Sequence, residues 1–206
     1  MPAHLPISSD RYWCWIGADT SPVQVDGSHS AYELVAGEPT AAAGPRWLTV
    51  VGPTTGEAVA ATARAADGSD DRPVWNLVWT QIALHGVPLV EPAFLFVVGM
   101  DAGPDSDAGA RAEFDRYYTS VHVPEVMATG GYPAGFRLRR HAAITCPRLS
   151  CPEFCAVYEA GENAGKRKLA SLRNPATSTA GRTREAGPPA WEHRVRSWRL
   201  LYRRAA

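Results

Sequence analysis

The order of elements after residue 92 constrains this chain more than any other feature of its sequence. Ala93–Gly99 is a short apolar run with the make-up of a strand. Asp101–Asp107 is rich in Asp, Gly and Pro and reads as a loop. Gly109 to about Ala128 has helical spacing of its apolar residues. Gly135–Arg140 opens a strand that runs to about Thr145, and Phe154–Glu159 is another. Asn163–Arg173 reads as a basic helix, Asn174–Pro189 as a long loop, and Trp191–Arg203 as the last strand. The order is therefore β-α-β-β-α-β, a split β-α-β arrangement.

The first half echoes it. Arg11–Gly17, Ser30–Val35, Arg46–Val51 and Val74–Ala83 have strand character, the third closed by Gly52-Pro53. Gly56–Ala66 is Ala-rich and helical, and Ala66–Asp71 is a loop. Trp15-Ile-Gly-Ala-Asp19 and Val97-Val-Gly-Met-Asp101 are both strands ending in Gly-x-Asp. Arg46–Ala66 matches Glu153–Arg173 as strand then helix, and Val74–Ala83 matches Trp191–Arg203. The expected fold is α+β: two tandem ferredoxin-like halves closing one barrel, residues 8–88 and 91–206, joined near Gly86-Val-Pro88 and Glu91-Pro92. Only ten residues separate Asp19 from Ser30, too few for a substantial helix, so the first half is expected to be degenerate.

A chain of 206 residues, 45% hydrophobic, can bury a full core without disulfide staples. Its formal net charge of zero argues against a general nucleic-acid binder. No apolar run approaches the roughly 18–20 residues that cross a bilayer, so no membrane role is expected. Met1–Pro6 has neither the basic start nor the apolar stretch of a secretory signal, and the expected location is cytoplasmic. Cys146, Cys151 and Cys155 are too loosely spaced for a zinc knuckle; with Cys14 they read as buried or loop thiols, and no metal is expected.

The segment from Glu113 to Met127 is the most informative. Phe114, Tyr117, Tyr118, Val121, His122 and Glu125 share one helical face, apolar with a polar tip. Pro124 is expected to bend or end the helix near Val123, which puts His122 at a helix discontinuity beside a cavity mouth. Each residue has a plain structural reading as well: His122 as a core histidine, one tyrosine as a core aromatic, Glu125 as a first-turn acid.

This pattern resembles the signature of EthD-like members of the dimeric α/β-barrel superfamily. The positions carrying the resemblance are Phe114, Tyr117 (where Trp is usual), Tyr118, His122, Pro124, Gly135, Phe136 and Arg140. The resemblance implies a fused pseudo-dimer with one working pocket. It also implies one of the superfamily's chemistries, which include polyketide cyclases, cofactor-free monooxygenases, isomerases, decarboxylases and haem proteins.

The leading expectation is a natural-product tailoring enzyme acting on an apolar or aromatic carbonyl compound without a cofactor, by cyclisation, dehydration or isomerisation. His122 would move the proton, with Tyr118 stabilising the oxyanion. Tyr117, Phe114, Trp13, Trp15, Phe136 and Arg140 are the expected substrate-binding residues. The alternatives are a cofactor-independent monooxygenase of a phenol, a haem protein with His122 as axial ligand, and a non-catalytic ligand-binding partner. A homodimer is compatible with all of them. The seven Trp fall mainly in expected strands, where they would pack the barrel and wall a pocket. The C-terminal arginines, Arg194, Arg196, Arg199, Arg203 and Arg204 among them, read as solvated edge protection or as a set that recognises a carboxylate or phosphate on the substrate.

Overall fold

Among the described residues, eight strands close into one antiparallel barrel: β1 (Tyr12–Ala18), β2 (His29–Gly37), β3 (Trp47–Thr54), β4 (Trp75–Gly86), β5 (Phe94–Asp101), β6 (Ala134–Thr145), β7 (Phe154–Ala160) and β8 (Val195–Arg204). The structure is a computed structural model and describes residues 11–37, 44–67, 73–145, 151–174 and 186–205. Around the barrel the order is β1-β3-β2-β8-β5-β7-β6-β4, so β4-β1-β3-β2 and β8-β5-β7-β6 repeat one relative order. The two runs join through β2–β8 and β4–β6.

Strand alternation builds separate cores on the two faces of each strand. Trp13 and Trp15 of β1 point into the lumen with Trp75, Trp79, Val97, Phe136, Trp198 and Leu200. Cys14 and Ile16 point outward, under helix α1 (Gly56–Asp67), against Val59, Ala63 and Ala66. The lumen is filled: Trp75 stacks on Trp198 at 4.3 Å, and Trp15 packs on Trp79 at 5.1 Å. Each such indole, taken out of water, contributes roughly 2–3 kcal/mol. On the second run's outer face lie α2 (Ala108–Tyr117), a π-turn (Tyr118–His122), α3 (Val123–Gly130) and α4 (Glu162–Arg173). Residues 19–28 link β1 to β2 without a helix.

Four expectations are corrected. The last strand does not begin at Trp191: Pro189–Glu192 form a short helix, α5, and β8 starts at Val195. Proline suits a first helical position, which Pro189 occupies, so the segment enters as a helical turn. β3 continues through Gly52-Pro53, a cis peptide, to Thr54. Of the two outcomes expected near Val123, an ending is corrected: the helix continues through Pro124, with its discontinuity in the π-turn Tyr118–His122. The Val123 amide reaches the Tyr118 carbonyl five residues back, and this wider turn accommodates the proline. Finally, Cys151 is not a thiol but disulfide-bonded. Cys14 and Cys155 are buried free thiols, while Cys146 and most of the expected loops at 66–71 and 174–189 lie outside the described residues.

Candidate functional site

Three elements place His122 at a cavity. Asp107 caps α2 by accepting the Ala110 amide at 2.8 Å. Gly131, at φ 68°, ends α3, and the amides of Gly131 and Tyr132 both reach the Met127 carbonyl, which turns Tyr132 back onto the sheet. Between these ends the π-turn adds a residue to the helical spacing. Its consequence is that the consecutive His122 and Val123 are both buried.

The cavity lies between α3, α4 and the outer face of β5, β7 and β8, with a volume of about 440 Å³. Its floor is apolar: Phe96, Val98, Met100, Val126, Tyr132 and Tyr158. His122 stands at one side, its ring 4.3 Å from that of Trp191 and only 6% exposed. Five cations line the rest: Arg167 and Lys168 from α4, and Arg194, Arg196 and Arg199 at β8. The Lys168 ammonium sits 3.8 Å from the Phe96 ring centre. Among the described residues no acid lines this cavity. A concave, apolar-floored site lined by cations suits a ligand with an apolar body and anionic groups.

Beneath the helix is a different environment. Phe114, Tyr117 and Tyr118 all pack on Trp191, at 5.7, 5.1 and 5.4 Å. Tyr118 is fully buried, and its hydroxyl has no hydrogen-bond partner among the described residues. Arg137, also fully buried, lies over the Tyr118 ring at 3.8 Å and pairs with Asp115. Burial pushes the Tyr118 hydroxyl well above the ordinary phenol range, against the opposing pull of Arg137.

The expected site residues therefore do not converge. Only His122 lines the cavity; Phe114, Tyr117 and Tyr118 support it from below. Trp13 and Phe136 line a second cavity at one mouth of the barrel, and Trp15 is sealed in the lumen. Arg140 donates to the Cys151 carbonyl and lines neither cavity. The sequence reading missed Trp191 as a neighbour of His122, and Arg167 and Lys168 as cavity residues. Their basic helix was visible, but the face it turns to the sheet was not.

No protein-family model and no curated protein sequence matches the chain. Among solved structures it is similar to a mutant chlorite dismutase from Candidatus Nitrospira defluvii in complex with cyanide. That likeness has 12% identity over 97% of this chain and 92% of the other, with a TM-score of 0.49. It is also similar to the chlorite dismutase of the same organism in complex with imidazole, at 12% identity over 97% and 93%, with a TM-score of 0.48.

The expectation of a cofactor-free cyclase, dehydratase or isomerase is corrected here. The two solved structures named above are chlorite dismutases. Its own geometry gives a physical reason: Tyr118, the expected oxyanion donor, is sealed under Arg137 and does not border the cavity that His122 lines.

Proposed function

We propose that the cavity beside His122 binds haem, with His122 as the axial ligand. The observation that supports this is one imidazole and five cations around a single apolar-floored cavity. The donor set fits the group. A neutral imidazole is an ordinary axial ligand to haem iron, and a haem's two carboxylates match arginine and lysine side chains. Phe96, Val98, Met100 and Val126 offer apolar contact to the macrocycle. Trp191 packs on the His122 ring and restricts its rotation, and Arg137 holds the helix beneath it through Asp115 and Thr119. Bound haem supplies redox chemistry at its iron. His122, the five cations and the apolar floor would hold and orient the group.

Two finer readings go with this. The chain is a tandem of ferredoxin-like halves at 8–88 and 91–206, supported by the repeated strand order β4-β1-β3-β2 and β8-β5-β7-β6. It is a fused counterpart of the EthD-like pattern, with the helix-side cavity described above in the second half.

Haemin titration of the purified chain tests the proposal. A saturable Soret band at one haem per chain is expected. His122→Ala should lose the axial-ligand signature, and Arg196→Ala with Arg199→Ala should weaken binding by about tenfold or more. A wild-type chain that leaves haemin unbound, or a His122→Ala spectrum identical to wild type, would overturn it.

A further inference from the structure

A second cavity, of about 270 Å³, opens at one mouth of the barrel. Trp13, Tyr32, Phe136 and Glu159 line it, and all four are buried. Strand alternation separates it from the first: Tyr158 faces the helix-side cavity, while the next residue, Glu159, faces the lumen side. The Trp13 indole donates to Gln81 Oε1 at 3.0 Å, which fixes its plane, and its ring meets Phe136 edge to face at 5.0 Å.

Glu159 is the unusual member. Its Oε2 accepts the Leu89 amide at 2.6 Å, and among the described residues it makes no ion pair. Arg204, near Tyr32, is paired with Glu91 at 3.0 Å. Arg11 also lines the cavity but is exposed and lies outside ion-pair distance. His29, at the rim, is hydrogen-bonded to the Gly27 carbonyl. A buried carboxylate without a cation is costly, and burial raises its pKa accordingly. A ligand that brings its own positive charge removes that cost, and the π faces of three aromatic rings add to its hold.

We infer that the barrel mouth is a second small-molecule site, for an organic ammonium ion. Its charge meets Glu159, and its apolar body lies among Trp13, Tyr32 and Phe136. This site is independent of the haem cavity.

Calorimetric titration of the full chain with 2-phenylethylammonium, 2-phenylethanol and phenylacetate decides it. The ammonium ion should bind saturably, at least about tenfold tighter than the alcohol, because one charge-assisted hydrogen bond is gained. Phenylacetate should not compete. Glu159→Gln should abolish the preference for ammonium over alcohol, Phe136→Leu should weaken ammonium binding, and His122→Ala should leave it unchanged. Equal binding of ammonium and alcohol by the wild type, no saturable ammonium binding, or a preference that survives Glu159→Gln would each overturn the inference. The wild-type comparison stands even if a variant does not fold.

Discussion

Arg137 shows how one buried charge supports the site without touching it. Its guanidinium lies between the rings of Tyr118 and Phe154, and it is held by Asp115 and Thr119. Removing Asp115 leaves that cation without its counter-ion. Asp115→Ala should therefore cost about 2 kcal/mol in urea denaturation, less than a fully buried pair because the Asp115 side chain is partly exposed. Adding Arg137→Met should recover much of the loss, since the cation itself is then gone. No recovery in the double variant would show that the ion pair is not the source. Glu159 makes a pH-dependent case. Burial raises its folded-state pKa, so between the ordinary glutamate value, about 4.3, and the raised one the folded state binds more protons than the unfolded state. Its contribution to stability is complete below that window and is lost as pH rises through it. Relative to wild type, Glu159→Gln should thus gain stability as pH is raised from about 4 to 8. A difference that stays constant across this range would refute the assignment.

At the scale of elements, packing decided what periodicity did not. The helix over 109–128 was legible from its apolar spacing, and the burial of His122 from its place on the apolar face of that helix. The π-turn was not, because it is a local widening of the backbone turn ahead of Pro124 with no distinct residue pattern. Nor was α5 legible: Trp191 looks like the start of a strand until Pro188 and Pro189 are seen to open a helical turn. The arginines of β8 were visible as a basic run. That they face Arg167 and Lys168 across one cavity depends on where α4 docks, which is a tertiary fact. Gly165 sets that docking. A Cβ there would come within 2.1 Å of the Phe94 ring, so α4 approaches β5 as closely as it does only because residue 165 has no side chain. Gly165→Ala should force the helix outward and destabilise the protein by about 1–3 kcal/mol. Because Arg167 and Lys168 would move with the helix, haemin affinity should fall in the same variant. Unchanged stability and unchanged haemin binding would show that α4 is not positioned by this contact.

Across the whole molecule, the two runs of strands share one interior. The lumen packs Trp15 and Trp79 from the first run against Trp198 and Val97 from the second. The barrel closes only through the β2–β8 and β4–β6 ladders, the latter running from Asn76–Thr145 to Gly86–Ala134. Separating the runs would expose both seams as unpaired strand edges and open half of a tryptophan-rich core to water. The outer cores under α1 and under α2 to α4 are separate from each other, but each rests on strands whose inner faces belong to the common lumen. The proposed halves therefore have distinct outer layers and no independent centre, and neither can lose its strands without unpacking the other. Unfolding should accordingly be a single cooperative transition. Tryptophan fluorescence, which reports chiefly on the lumen, and far-ultraviolet circular dichroism, which reports on helices and strands alike, should give coincident urea curves. Two separated transitions, or a fluorescence change that precedes the loss of helix signal, would mean that residues 8–88 and 91–206 unfold as independent domains and that the shared lumen does not couple them.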